Sequence, residues 1–476
     1  MQEQRAPQPN VIEVLDWNGP NDTENPHNWP LATRIYHTVT ISLVAFIAAL
    51  GSSVFAPAVP QAAEDLRVST TVAIVGVSVY VLGLGFGPVL AAPISENWGR
   101  SPVYKISLPL LMLFTLGAGL SKSISSLIVC RLFAGIFGSP VLAVGAGTNT
   151  DLYPLYTRAI STSLFLLAPF SGSALGPVIG GFASQYKGWP WTQWCIEFAA
   201  LAAFVLLLRT RETYKKIILQ RRAKRLGARG PTSNSPKGVA AAKMLLTVTL
   251  FRPVHMLFTE PIVAFLSLYN SFAFAVLFTF FAAFPRIFMG TYGFSESQAG
   301  LPFVAVFVGV MLSFVSSFTL DRLMYMRLHR QAVSEGKAHI QPEHRLYAGM
   351  LGSIGLPVGL FWFAWTAEKG THWIVPIIAA VPFGWGNLSI FTSSAMYLAD
   401  TYGSMYAASA LGANGLLRYT LSAAFPLFTV QMYNTLGTGW ATSLLGFVSV
   451  GMLPIPWVLF KWGPRIRARS QYPTLK

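Results

Sequence analysis

Ala168-Pro-Phe-Ser-Gly172-Ser-Ala-Leu-Gly176-Pro-Val-Ile-Gly180-Gly-Phe-Ala-Ser184 places a small residue at every fourth position of an otherwise apolar run. On a helix, Ala168, Gly172, Gly176, Gly180 and Ser184 form one stripe almost bare of side chain. In lipid such a stripe lets a second helix approach backbone to backbone, where close packing replaces the hydrophobic drive available in water. Pro177 cannot donate to the Ser173 carbonyl and its ring presses on that turn, so the helix is expected to bend there. A lone GxxxG occurs by chance in many buried helices. Three glycines in strict register, followed by Gly181, mark a bent contact surface.

The surrounding chain fits a membrane setting. With 53% hydrophobic and only 11% charged residues and a mean hydropathy of +0.51, it is not an ordinary soluble enzyme. Roughly 20 apolar residues cross a hydrocarbon core of about 30 Å, and long apolar runs, not alternating ten-residue strands, fill the sequence. Twelve spans are predicted, at 34–56, 72–94, 103–121, 125–150, 159–184, 189–208, 259–285, 296–320, 344–366, 373–399, 405–433 and 438–461. The net charge of +16 is placed in alternate loops, which argues against nucleic acid as a partner. Arg209, Arg211, Lys215, Lys216, Arg221, Arg222, Lys224, Arg225 and Arg229 crowd the central loop, while the loops near Pro60, Lys187, Thr371 and Thr435 are short and poor in Lys and Arg. By the positive-inside rule both termini and the central loop are cytoplasmic. The expected organisation is an arm (1–33), a six-helix bundle (34–208), a basic loop without spans (209–258), a second six-helix bundle (259–461) and a tail (462–476). Thr232, Ser233 and Ser235 offer phosphorylatable hydroxyls in the loop.

Cys130 and Cys195 both fall within spans, so neither a disulfide framework nor a metal site is indicated. Asn21-Asp-Thr23 matches a glycosylation acceptor, but on a cytoplasmic arm the match is fortuitous. No cleavable signal is expected ahead of the first span, because residues 1–33 lack an apolar core segment.

Ser171-Gly-Ser-Ala-Leu-Gly-Pro-Val-Ile-Gly-Gly181 resembles the fifth-helix antiporter motif of the major facilitator superfamily, in its drug:proton antiporter branch. Ala92-Pro-Ile-Ser-Glu96-Asn-Trp-Gly99-Arg100 is similar to that superfamily's signature loop between helices two and three. The resemblance gives Glu96 the acid place of a charge latch, Gly99 the turn and Arg100 the basic place. Ala92, Asn97 and Ser101 depart from the pattern and thin the expected charge network. Arg131-Leu-Phe-Ala-Gly135 resembles the fourth-helix arginine motif, which implies a role in proton coupling. The segments Leu15-Asp-Trp-Asn-Gly-Pro20 and Asn25-Pro-His-Asn-Trp29-Pro, and later Trp373-Ile-Val-Pro376, Ala408-Ser-Ala-Leu411 and Phe425-Pro-Leu-Phe428, resemble fungal twelve-helix drug:proton antiporters, so the likeness spans nearly the whole chain. In the arm, Trp17 and Trp29 read as interfacial anchors.

Beside the resemblance, the residues carry their own argument. Arg131, Gly135, Ser139, Ala143, Gly147 and Asp151 recur at intervals of four, a stripe running from a cation to an acid. Arg131 lies about 9 Å below the outer surface at about 1.5 Å rise per residue, where a guanidinium facing lipid is disfavoured. Glu197 lies about 10 Å below the same surface and is its expected partner on depth alone. Asp151-Leu-Tyr153 is echoed by Asp400-Thr-Tyr402, and Asp321 ends the eighth span as Glu96 ends the second, which suggests two halves related by a pseudo-two-fold axis. Ala305, Gly309, Ser313 and Ser317 form another small-residue stripe, the expected mate of Gly172, Gly176 and Gly180. Tyr269, Asn270, Asn387, Tyr397, Asn414 and Arg418 are the polar candidates for a substrate pathway, with Phe272, Phe274, Phe278, Phe281 and Phe284 as an apolar lining.

The expectation is an all-α transporter of two pseudo-symmetric six-helix bundles that exports a small organic compound in exchange for protons. Arg131, Glu197, Asp151 and Asp400 are the candidates for coupling. No G-x-x-x-x-G-K-[ST] loop is present, so a proton gradient, without cofactors, is the expected energy source. A monomer in the plasma membrane is expected, its partners being lipid, protons and a small-molecule substrate. A lipophilic drug, toxin or secondary metabolite is preferred to a polyamine or other organic cation, because the spans carry few acids. A nutrient facilitator or importer is the alternative that the fifth-helix motif opposes. A membrane enzyme would need clustered ligands, and the seven histidines are scattered.

Overall fold

The computed structural model describes residues 14–228, 230–231, 247–336 and 340–474, the side chains of 155–160, 333 and 404–405 excepted. Thr232, Ser233 and Ser235 lie outside the described residues. Eleven helical stretches are long and apolar enough to cross a membrane. In chain order they are α1 (Leu31–Ser53), α2 (Thr70–Trp98), α3 (Arg100–Gly119), α4 (Ile124–Leu152), α5 (Leu155–Lys187), α6 (Trp191–Leu208), α7 (Pro261–Tyr292), α8 (Glu296–Ala332), α9 (Pro342–Thr366), α10 (Ile374–Gly403) and Tyr406–Arg467. The last has 62 residues, about 90 Å of helix, enough to cross twice. It divides at Gly437, whose φ of 75° and ψ of 167° are non-helical, into α11 (406–436) and α12 (438–467).

Local chemistry sets many of the ends. Ser69 and Ser123 accept hydrogen bonds from the backbone N–H groups of Val72 and Ser126, capping α2 and α4. Ser295 and Gln298 form a reciprocal capping box at the start of α8. Gly99, at φ 102°, makes the turn from α2 into α3, a conformation that a Cβ would strain. α4 is interrupted at Ser139–Pro140, where the prediction had one continuous helix.

The small-residue stripes decide the packing, though not always with the predicted partner. Gly83 and Gly87 of α2 lie against Leu132, Ile136 and Ser139 of α4, and Gly135 against the Tyr80 carbonyl, so these two stripes face each other. Gly172, Gly176 and Gly180 of α5 close on Phe46, Ser53 and Val54 of α1 instead of on α8. The α8 stripe in turn packs on α10: Gly309 lies against Val381 and Trp385, Gly384 against Val306, and the Ser313 and Ser389 hydroxyls are 2.8 Å apart. A period of four specifies close approach but not the partner, and each stripe found a neighbour within its own half.

The halves meet through the adjacent face of α5. Gly300 sits on the Pro177 carbonyl, Gly181 on the Glu296 carbonyl, and Ser297 N–H donates to Gln185 Oε1 at 2.8 Å. This seam is at the end of the molecule away from the two termini. Near mid-membrane Gly85 of α2 lies against Tyr419 of α11, and Phe170 of α5 contacts Phe274 and Phe391 at 5.7 and 5.1 Å between ring centroids. α7 is the most enclosed span. Its Phe280 and Phe284 stack with Phe363, and Phe284 with Phe303, which fills the second bundle, so only part of the predicted aromatic lining reaches the junction.

The terminal end is more structured than predicted. The basic linker contains a helix, Lys215–Leu226, and the arm docks on it. Arg222 grips Asp22 through both terminal nitrogens at 2.7 and 2.8 Å, Glu24 joins Arg222 and Arg225 at 2.6 Å, and Asp16 pairs with Lys215 at 2.7 Å. Trp17 lies under the Arg222 guanidinium, 5.9 Å from ring centroid to Cζ, and Trp29 is buried against His37. α12 continues past the predicted end at 461 to Arg467, and Ser470 and Gln471 of the tail bind Glu260.

Candidate functional site

The mid-membrane junction gathers the groups that are hardest to explain as packing. Arg418 of α11 is 9% exposed, with its guanidinium 4.8 Å from the Phe274 ring, 4.5 Å from Phe391 and 4.5 Å from Tyr419. Its Nε is enclosed without a hydrogen-bond partner. One helical turn towards the termini, Asn414 shares its face and Asn270 precedes Phe274 on α7; both are 3% exposed. The amide nitrogen of Asn414, and both the nitrogen and oxygen of Asn270, lack partners. α7 and α11 both run away from the terminal end, so these four positions form two levels of one wall. Buried polar groups without partners mark a place where a ligand or water completes the bonding.

The remaining pathway candidates have been drawn elsewhere. Asn387 donates to the Ala273 carbonyl at 2.7 Å, pinning α10 to α7. Tyr269 points to the Ser353 carbonyl of α9, and Tyr397 donates to Glu343, which is gripped by Arg467 at 2.8 and 3.0 Å. Both tyrosines are therefore structural groups of the second bundle.

In the first half Arg131 is 1% exposed, between Phe55 and Tyr80 at 5.1 and 4.6 Å. It donates to the Gly76 carbonyl at 3.2 Å and to Gln193 Oε1 at 3.4 Å, and its Nη2 is unpartnered. The predicted partner Glu197 makes no bond to it, and Glu197 Oε2 is itself enclosed without a partner. The guanidinium reaches Gln193, one turn nearer the start of α6 than Glu197; equal Cα depth did not resolve that offset of one turn.

At the terminal end each half carries a charge clamp. Arg100 pairs with Asp151 at 3.2 Å, donates to Ser95 Oγ at 2.9 Å, and lies over the Tyr214 ring at 4.7 Å. Gly147 leaves room for the guanidinium, and a Cβ on Gly99 would strike Glu212. Glu96 is exposed and not the acid that holds Arg100. Instead Glu212, just beyond α6, accepts from the backbone N–H groups of Arg100, Ser101, Thr213 and Tyr214 at 2.8–3.2 Å. In the second half Arg345 joins Asp400 at 2.8 Å and Asp321 at 3.2 Å and stacks on Tyr325 at 3.6 Å. The clamps match by position: an arginine opening α3 or α9 and an aspartate ending α4 or α10. Sequence reasoning named Asp151 and Asp400 but missed Arg345 and Glu212. The echo of Arg100 at the start of α9 was a signal for the first; a lone acid in a basic loop was a weak one for the second.

A family model described as the Major Facilitator Superfamily matches residues 41–426. Polyamine transporter 4 of Saccharomyces cerevisiae is 39% identical over 482 residues, covering 96% of this chain and 73% of that protein. Efflux pump radE of Floropilus chiversii is 36% identical over 464 residues, covering 96% and 86%, and the citrinin biosynthesis cluster MFS transporter mrr1 of Monascus ruber 36% over 468, covering 97% and 92%. Among solved structures, the proton:xylose symporter XylE bound to 6-bromo-6-deoxy-D-glucose superposes with a TM-score of 0.66 at 15% identity, over 91% of this chain and 96% of XylE. That likeness shows a shared fold.

Proposed function

Because this chain belongs to the major facilitator superfamily and is a small-molecule transporter of that type, we propose that it exports a lipophilic organic compound across the plasma membrane in exchange for protons. The observation that carries the reading is the asymmetry between the two ends. At the far end the halves touch backbone to backbone at Pro177–Gly300 and Gly181–Glu296, whereas at the terminal end each clamp, Arg100–Asp151 and Arg345–Asp400, is confined to one half. Two bundles whose charge clamps stay within each half, and which meet backbone to backbone at the far end, suit a carrier that opens to the other side when the halves rock. The positive charge of the linker and tail supports a cytoplasmic terminal side. The molecule works as a monomer embedded in lipid, since a single chain supplies both bundles and the site between them.

Arg131 and Glu197 are the groups assigned to proton coupling. Each keeps an enclosed polar atom without a partner, so a change of protonation or hydration there alters the balance inside the first bundle. Asp151 and Asp400 hold the clamps and act on the conformational change. Relatives named as efflux pumps and as transporters of biosynthesis clusters favour a secondary metabolite or similar compound. The similarity to Polyamine transporter 4 favours an organic cation as second reading.

The test is accumulation of candidate compounds in proteoliposomes with an acidic lumen. Uptake should exceed that of protein-free liposomes and collapse with a protonophore, and Glu197→Gln should shift its pH dependence. Uptake indifferent to the protonophore would replace exchange with facilitated diffusion.

A further inference from the structure

We propose that the transported compound is an organic anion, a planar lipophilic molecule with a carboxylate, and that Arg418 is the residue that recognises its charge. The inference rests on the transporter reading and adds the substrate class to it.

Four arginines are at least nine-tenths buried among the described residues: Arg131, Arg222, Arg418 and Arg467. Arg222 is held by Asp22 and Arg467 by Glu343. Arg131 has the Gly76 carbonyl and Gln193. Arg418 touches Phe274, Phe391 and Tyr419 by their faces, its Nε is enclosed without a hydrogen-bond partner, and no carboxylate lies within ion-pair distance of it among the described residues. A cation withdrawn from water into mid-membrane is costly, and ring faces offset that only in part. Rings also hold a guanidinium in a fixed plane, the geometry in which its paired N–H groups meet both oxygens of a carboxylate.

The surroundings extend the match. The unpartnered amides of Asn270 and Asn414 lie one turn nearer the terminal side on the same two helices, a donor and acceptor pair for further oxygen substituents. Phe170 brings a ring from the first half onto Phe274 and Phe391, so aromatic faces from both halves wall the site. A polyamine would place its ammonium groups against an uncompensated guanidinium. The site therefore selects against cations.

The test uses the full chain in nanodiscs and proteoliposomes with three matched probes: naphthoate, its methyl ester and naphthylmethylamine. Naphthoate should bind and be transported in preference to the ester and the amine. Arg418→Gln should reduce naphthoate binding about tenfold to 100-fold, the range for a charge-assisted hydrogen-bonded contact, with little change for the ester. Arg418→Lys, which keeps the charge but not the fork, should fall between. Equal or better handling of ester or amine by the unmodified protein overturns the proposal even if export is proton-driven. Arg418-dependent binding of naphthoate without gradient-driven uptake keeps the anion site and removes the exporter reading. Should Arg418→Gln fail to fold, the probe preference of the unmodified protein and of Arg418→Lys decides.

Discussion

Adding one methyl group to the far-end seam should open it. A Cβ on Gly181 would lie 2.8 Å from the Glu296 carbonyl oxygen and 3.3 Å from Ser297 Cα, where ordinary contact begins at 3.4 Å. The opposing atoms are backbone, with no rotamer to turn away, so the halves must part by about 0.6 Å at this point, and further for Gly300→Ala, whose Cβ would press on the Pro177 carbonyl. Overpacking of this kind costs about 1–3 kcal/mol. The cost falls on the far-end-closed state alone, shifting the balance towards the open state by about 5- to 150-fold. Spin labels at Tyr186 and Gln298, both exposed beside the seam, with Cys130 and Cys195 replaced, would report the distance distribution in nanodiscs. Gly181→Ala and Gly300→Ala should move population to longer distances and slow transport with little loss of membrane abundance. Gly176→Ala is the contrast: its Cβ strikes Ser53 and Val54 inside one half, so it should lower the melting temperature and leave the distances alone. Unchanged distributions in both seam variants, or an equal opening by Gly176→Ala, would refute the assignment of these two faces of α5.

Arg131→Ala should abolish gradient-driven accumulation while the protein still reaches the membrane; near-normal accumulation would remove Arg131 from coupling. Glu212→Ala leaves four backbone N–H groups without their acceptor and should destabilise the protein by about 1–3 kcal/mol, read as a lower melting temperature in detergent. The Arg222 hydrogen bonds hold Asp22 well below the usual carboxylate range, so arm docking gains stability that is fully present above the unfolded carboxylate pKa of about 3.9 and lost as pH falls through the lower folded value. Burial raises Glu24, but Arg222 and Arg225 lower it further, so it titrates in the same direction. Hydrogen exchange of residues 14–30 should thus stay slow at neutral pH in the parent and become fast there in Asp22→Asn; equally slow exchange would show that apolar contacts alone hold the arm.

The span count, the two halves and the close-packing residues were legible because membrane helices announce themselves by length and glycine spacing. Their partners were not. Gly172, Gly176 and Gly180 read the same whether they face α1 or α8, since a stripe without side chains carries no address. Arg131 and Arg418 were visible as buried cations, but the choice of Gln193 over Glu197 turns on a one-turn offset that depth counting does not resolve. Glu212 and Arg345 depend on contacts made across 111 and 55 residues of chain with Ser101 and Asp400, which no local pattern encodes. The docking of the arm through Asp22 on Arg222 spans 200 residues of chain and has no local signal either.

The far-end seam brings Pro177, Gly181, Gly300 and main-chain oxygen into direct contact. Fixing glycine or proline side chains in place loses no rotamer freedom. Making or parting this contact therefore orders few rotors, the exceptions being Gln185 and Glu296, which bond Ser297 and Ser184 across it. A seam of leucines would exchange side-chain entropy and apolar hydration at every turnover, tying its equilibrium to temperature. One of bare backbone avoids most of that exchange, so the ratio of open to closed molecules should drift little between cold and warm.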